Sequence, residues 1–277
     1  VTTKDSPGSD DFLRTTFGRG GPAVHRLGLS GTYRPGKKAI FRALDEGINV
    51  FFAYGIDLQM LDALRDALPS RREQIVVVTG AYNLIWTGTD VRKTLENRLR
   101  KLRTDYLDAL LFLGVMKEEQ FPQHVRDELV RLREEGKVHR IGLSTHDRKL
   151  AGKLAAEGIF DAFMVRYNAA HRGAETDIFP HLAAHDPAVI SYTATRWRYM
   201  MRRPKGWDKT ERVPTAGDAY RFVLSNPHVD VCLTAPSNLS QLEENLAAVR
   251  RGPMDQEELA FMRGFGDRVH HTKKWFM

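Results

Sequence analysis

Short β-rich runs alternate with amphipathic segments along almost the whole chain, and no other feature constrains the fold as much. The runs are HRLGLS (25–30), NVFF (49–52), IVVVTG (75–80), ALLFL (109–113), RIGLS (140–144), AFMVRY (162–167), AVISY (188–192) and DVCLT (230–234). Each is followed by a helical stripe: 37–47, 58–68, 90–102, 123–136, 148–158, 177–185, 216–226 and 239–250. Strands separated by helices of roughly ten to fifteen residues imply βα units and a parallel sheet. Eight such units in about 250 residues are the count of a (β/α)8 TIM barrel. A doubly wound sheet is the competing α/β arrangement. Its dinucleotide fingerprint is absent, because the first run leads into SGTYRPG (30–36) rather than a GxGxxG turn.

The remaining segments are accessories to that barrel. Residues 1–11 are polar and read as a flexible leader, leaving 12–277 as one domain. FLRTTFGRGGPAV (12–24) reads as an N-terminal β-hairpin turning at Gly20-Gly21, and 255–271 as an extra C-terminal helix weakened at Gly264–Gly266. Gly47, Gly136 and Gly158 sit where left-handed C-caps favour glycine, Ser70–Glu73 has capping-box spacing, and Glu96 and Arg100 are placed to pair along a helix. The long connection 195–215 is basic and aromatic, as functional loops of such folds often are.

Composition narrows the function classes. A single cysteine, Cys232, excludes a disulfide framework and a cysteine-based zinc site. No run of 18 apolar residues and no secretory pattern is present, so the expected setting is cytoplasmic, without a membrane partner. The formal charge of +7 comes from Lys and Arg interleaved with acids. That pattern, with no basic arm or recognition-helix signature, argues against nucleic acid and for a small-molecule substrate, an anionic one being an option. Nothing indicates an oligomeric state. Trp197, Trp207, Trp275 and Phe276 are available to cover the barrel mouth or to meet a partner.

In a barrel, function belongs to the C-terminal strand ends. There, CLTAPSNLSQLEENL (232–246) sets small polar residues before a helix start, either an anion site or an ordinary N-cap at Ser237 or Asn238. Gln241, Glu244 and Asn245 follow on that helix. Tyr54, after VFF, is either a phenolic acid or a packing residue. Arg166 shares a strand face with Met164 and Asn168, and with Arg196 is a candidate cation. Burial of Arg166 demands an anionic partner, either Asp57 or a substrate. His146 and His171 lack an HExxH-type neighbour, so no metal site is expected.

Taken together, these stretches resemble the aldo-keto reductases over 12–250, most clearly in KAIFRALDEGINVFF (38–52), LENRLRKLRTDYLDALLF (95–112), LREEGKVHRIGLS (132–144), RYNAAHRGAETDIFPHL (166–182) and LTAPSNLSQLEENL (233–246). The resemblance implies a (β/α)8 barrel that binds NADPH, with NAD the other dinucleotide to consider, and reduces a carbonyl. It carries Ser144 and Tyr192 over as nicotinamide contacts, and Ser237, Gln241, Glu244 and Asn245 as phosphate and adenine contacts. Asn168 joins this cofactor set, as does Asn238, which stands where the family often has Arg. Thr145 and Met164 stand where amide-binding residues are usual.

The family's catalytic Asp, Lys and His correspond to Phe52, Gly80 and Leu113, and its tyrosine to Tyr54, which arrives about three residues early. The expectation is therefore a divergent reductase whose rebuilt site uses Tyr54, His146 and Arg166. The alternative is a catalytically inactive nucleotide-binding barrel acting as a sensor or partner protein. A lyase or isomerase independent of nicotinamide is a further option.

Overall fold

The computed structural model describes residues 12–54, 57–82 and 90–272. The leader 1–11, Trp275 and Phe276 lie outside them. Two short strands, β1 (Arg14–Thr16) and β2 (Ala23–His25), pair antiparallel as the expected hairpin, joined by residues 17–22 rather than by a two-residue turn. Eight parallel strands then close a barrel: β3 (Leu27–Ser30), β4 (Val50–Phe52), β5 (Val76–Tyr82), β6 (Leu107–Val115), β7 (Val138–Thr145), β8 (Ala162–Arg166), β9 (Ala188–Tyr192) and β10 (Val231–Thr234), with β10 returning to β3.

The outer layer holds α1 (Lys37–Asp45), α2 (Leu58–Arg71), α3 (Val91–Leu102), α4 (Gln123–Glu134), α5 (Arg148–Glu157), α6 (Ala174–Asp177), α7 (Ala216–Leu224) and α8 (Leu239–Val249). The chain then enters α9 (Gln256–Thr272). The period-2 alternation of each strand splits the core in two. Val50, Phe52, Val78, Leu111, Leu113, Met164 and Ile190 fill the barrel interior, with Phe17 and Val24 of the hairpin in the same cluster. Phe51, Val77, Leu110 and Phe163 pack outward against the helices.

Alternate strands are tied to their predecessors by one repeated device. An Asn or Asp at or just before the start of β4, β6, β8 and β10 accepts a backbone N–H from the preceding strand or its entry. The four bonds are His25 N to Asn49 Oδ1 (2.8 Å), Val77 N to Asp108 Oδ2 (2.8 Å), Ile141 N to Asp161 Oδ2 (3.0 Å) and Val189 N to Asp230 Oδ2 (2.8 Å). Burial, with Asp186 adding to it, pushes the Asp230 carboxyl up to about 7 despite the Val189 bond and nearby Arg26. The folded state then binds more protons than the unfolded chain between about pH 4 and 7, so this group's contribution to stability declines as pH rises through that window. Asp230→Asn keeps the oxygen acceptor and removes the decline. Relative to wild type it is expected to be more stable by on the order of 1–3 kcal/mol at pH 8 and little changed at pH 4, checked by denaturant melts across pH.

Several local expectations need correction. The stripe 177–185 is not one helix: α6 ends at Asp177 and a 3-10 turn spans Phe179–His181, because Pro180 cannot donate to a helical ladder. Helix α2 runs through Pro69 to Arg71, so Ser70 lies inside it and donates to Ala67 O (3.3 Å) instead of forming a capping box. Glu96 pairs with Lys137 (2.9 Å), and Arg100 with Asn97 (2.8 Å), rather than with each other. Helix α9 continues unbroken through Gly264–Gly266. Gly266 is needed for proximity, since a Cβ there would lie 2.2 Å from Ala169 O in the loop after β8. The three C-cap glycines, Gly47, Gly136 and Gly158, do take left-handed φ of 83°, 70° and 72°.

Candidate functional site

The C-terminal strand ends bring most of the named side chains to one mouth, divided chemically into two sides. On the β4–β5 side, Tyr54 follows β4 and packs edge-on against Phe52, with ring centroids 4.7 Å apart. It stacks on Tyr82 at 5.5 Å, and the two hydroxyls are hydrogen-bonded to each other. Register pairs Phe52 with Val78, and β5 continues to Tyr82, so alternation turns Val78, Gly80 and Tyr82 to the same face. Gly80 carries no side chain because Leu113 of β6 occupies that space: a Cβ on Gly80 would sit 2.1 Å from Leu113 Cδ1. Phe52 and Leu113 are buried, and the interior beneath Tyr54 is apolar.

On the opposite side, Ser144 is the penultimate residue of β7, and β8 and β9 end in Arg166 and Tyr192. Arg166 and Tyr192 are register partners. The half-buried Tyr192 phenol is pushed above its ordinary range by loss of solvent, with the Ser144 hydroxyl and Arg166 acting against that rise. His146 lies edge-on to Tyr192 at 6.2 Å, and burial and Arg166 lower its pKa. His171 bridges back to Asn168 and is lowered further, to about 3, by burial first and then by Arg166, Arg196, His270 and Arg148. The buried Nδ1 of His146 and Nε2 of His171 have no hydrogen-bond partner among the described residues.

The loop leaving β9 is held under backbone strain. Thr193, Arg196, Trp197 and Arg198 all have φ between 47° and 70°, a region β-branched and bulky residues rarely enter. Surrounding contacts impose it. Asn168 Nδ2 donates to Thr193 O (2.9 Å), and Arg196, only 2% exposed, donates to Val269 O of α9 (2.8 Å). Farther along, Trp207 packs on Phe265 at 4.9 Å, and Arg268 donates to Gly206 O (3.0 Å). Most of this connection is thus clamped to the terminal helix, while Trp197 is 45% exposed. A cleft of about 700 Å3 between Gly206–Glu211 and α9 is lined by Trp207 and by none of the catalytic or cofactor residues expected from the sequence.

At β10, Asn238 caps α8 by accepting from Gln241 N (3.0 Å), and the Gln241 side chain folds back to accept from Ser237 N (2.9 Å). Glu244 accepts from Ser240 (3.1 Å). Two members of the expected cofactor set are engaged inside the fold. Asn245 is buried and donates to Thr234 Oγ1 (3.0 Å). Asn168 is fully buried, with its amide nitrogen on Thr193 O and its oxygen accepting from Ala170 N (3.0 Å).

Asp57 does not serve Arg166. It is buried against Gly31, the cation acting on it is Arg34, burial raises its pKa, and its Oδ2 lacks a hydrogen-bond partner among the described residues. Among the described residues no group of three His, Cys, Asp or Glu side chains is placed to hold a metal, and no helix is long and apolar enough to cross a membrane. Tyr82 stands at a strand end in the sequence, but only its contact with Tyr54 singles it out from the other residues there.

Comparison with known proteins gives a consistent picture. Over residues 35–196 the chain matches the aldo/keto reductase family. It is 19% identical to the uncharacterized oxidoreductase YqkF of Bacillus subtilis (strain 168), covering 86% of this chain and 89% of that protein. Its fold is similar to that of the holo form of aldo-keto reductase AKR11C1 from Bacillus halodurans, with a TM-score of 0.76, 19% identity and coverage of 91% and 95%. It is also similar to an aldo/keto reductase from Klebsiella pneumoniae in complex with NADP and acetate, with a TM-score of 0.74, 22% identity and coverage of 95% and 99%. From the match over more than half its length, this chain belongs to the aldo/keto reductase family.

Proposed function

We propose that the chain is an NADPH-binding oxidoreductase that reduces the carbonyl of a small molecule, with the Tyr54–Tyr82 phenol pair in place of the family's usual proton-donating group. The observation that carries this reading is the hydrogen bond between the two phenols at the barrel mouth. Support for the cofactor comes from fold neighbours solved with NADP or NADPH, and from the fit of the residues here. Ser144 at the end of β7 and Tyr192 at the end of β9, hydrogen-bonded across β8, are available to a planar amide-bearing ring, and the start of α8 offers backbone N–H groups to a phosphate. Gln241 would move from Ser237 N to admit that phosphate. When bound, the reduced nicotinamide supplies the hydride.

The protein's own part is proton donation and exclusion of water. Tyr82, whose pKa is raised by burial and by Tyr192, keeps its proton and donates it toward Tyr54 Oη. The Tyr54 O–H is then free to point at a carbonyl oxygen. The apolar floor of Phe52, Leu113 and Met164 excludes water from the reacting atoms.

A second reading, a nucleotide-binding barrel without turnover, is favoured by that same floor. Phe52, Gly80 and Leu113 place no charge beside Tyr54, and an ordinary phenol, with a pKa of about 10, is a weak acid at neutral pH. Fluorescence titration with NADPH and NADH, followed by cofactor oxidation against a panel of aldehydes and ketones, separates the two. NADPH binding with turnover is the expected result. Binding without turnover establishes the second reading, and absence of binding by either dinucleotide removes both.

A further inference from the structure

We infer that Arg98, acting through the Thr79 hydroxyl, is a positioning residue for Tyr54: the two side chains hold the peptide from which the phenol reaches the mouth. The catalytic consequence rests on the reductase reading above; the positioning itself does not.

Arg98 stands where a core-facing helix calls for an apolar residue. The buried stripe of α3 is Val91, Leu95, Arg98 and Leu102, the spacing of one helix face turned inward. Three members are apolar and the fourth is an arginine, 5% exposed. A buried cation is costly unless a carboxylate compensates it. Among the described residues no carboxylate pairs with Arg98, and burial lowers its pKa with no charge acting against that shift. Its Nε donates instead to Thr79 Oγ1 (3.1 Å). A methionine would fill the same stripe without that cost, so packing alone does not account for the guanidinium.

Thr79 passes this contact on to Tyr54. By alternation along β5, Thr79 shares the outward face of Val77 and Ala81, and it is fully buried. A hydroxyl has one proton to donate. Thr79 gives it to Ala53 O (2.7 Å), which leaves its lone pairs to accept from Arg98. Ala53 is where β4 leaves the sheet. The register ends at Phe52 with Val78, and one last backbone bond runs from Ala53 N to Val78 O (2.8 Å). Beyond it the Ala53 carbonyl meets no backbone N–H of β5 among the described residues and takes the Thr79 hydroxyl instead. That carbonyl belongs to the planar peptide whose N–H is Tyr54's own, so fixing it fixes one end of the Tyr54 backbone.

Each bond of the chain constrains the next. The Arg98 N–H occupies the lone-pair side of the hydroxyl and keeps its proton on Ala53 O, and a charged donor strengthens the bond beyond it. The chain reaches Tyr54 from behind the sheet, while Phe52 and Tyr82 hold its ring within the mouth. Such placement matters to proton donation, since a displacement of about 1 Å can cost about 10²-fold in rate.

The test reads position and rate separately. Protein carrying 3-fluorotyrosine gives a fluorine resonance for Tyr54, assigned with Tyr54→Phe and recorded without dinucleotide. Arg98→Met and Thr79→Val are each expected to shift or broaden that resonance and to leave those of the buried Tyr167 and Tyr220 in place. In NADPH-dependent turnover both are expected to lower kcat about tenfold or more, with KM for NADPH unchanged. Thr79→Ser, which keeps the hydroxyl, is expected to retain both the resonance and the rate. Arg98→Met is expected to melt no lower than wild type, because it removes an uncompensated buried charge.

An Arg98→Met protein with an unchanged Tyr54 resonance overturns the inference, whether or not any carbonyl is reduced. So does a shifted resonance with wild-type kcat, since the position of Tyr54 would then not limit the reaction. A loss of kcat matched by losses of melting temperature and NADPH affinity overturns it too, by making Arg98 a general structural residue. A wild-type protein that reduces no carbonyl, with the Tyr54 resonance displaced in both variants, overturns the reductase reading and leaves the positioning role standing.

Discussion

Gly80→Lys, the single substitution that writes the family's lysine back into the chain, is expected to destabilise the barrel by about 3 kcal/mol or more and to restore no activity. Its Cβ would enter the volume of Leu113, at 2.1 Å from Cδ1 and 2.6 Å from Cγ. Its ammonium would then be buried over Phe52, Val78 and Leu113 with no carboxylate in that cluster. Gly80 and Leu113 are thus one compensated pair, the absent side chain on β5 filled by the larger one on β6. Leu113→Ala alone opens a cavity and costs about 2–5 kcal/mol. The double variant Gly80→Lys/Leu113→Ala is expected to be clearly more stable than the sum of the two losses, because each change relieves the other. Thermal and denaturant melts of the four proteins measure this directly. Strict additivity would show that Leu113 does not fill the space over Gly80.

That pair also marks where sequence and structure part. The barrel was legible because its signal is periodic and repeated: every run from HRLGLS to DVCLT overlaps a strand of the closed sheet. The Asn or Asp at the start of alternate strands, in INVFF, LDALL, FDAFM and VDVCL, takes on meaning only with the backbone N–H groups it accepts from, which lie on the neighbouring strand. Local chemistry misled where a tertiary contact decided the outcome. Gly266 looks like a break in α9 and is a point of close approach to Ala169. Asn168 and Asn245, expected as cofactor contacts, have a further role the sequence does not show, their amides holding the turn at Thr193 and the end of β10. The Tyr54–Tyr82 contact joins residues 28 positions apart through the β4–β5 register, which no single segment encodes. The placement of His146, Arg166 and His171 depends likewise on two separate strand ends, those of β7 and β8.

Tyr54→Phe is expected to lower kcat by about 10²–10⁴-fold while leaving NADPH affinity nearly unchanged, because it removes the donated proton and little else. The ring keeps its edge contact with Phe52 and its stacking on Tyr82, so a matching loss of melting temperature is not expected. Tyr82→Phe is the more discriminating variant. If Tyr82 donates to Tyr54 Oη, that bond stabilises the phenolate left after proton transfer, and its loss makes Tyr54 a weaker acid. The alkaline limb of kcat/KM should then move to higher pH, and kcat should fall by about tenfold, less than in Tyr54→Phe. A purely structural role for Tyr82 would reduce activity without moving that limb. The two variants together separate proton donor from positioning residue, since only the loss of Tyr54 removes the group that reaches the carbonyl. Equal turnover in wild type and Tyr54→Phe would take the phenol pair out of the mechanism and leave the nucleotide-binding barrel as the better description.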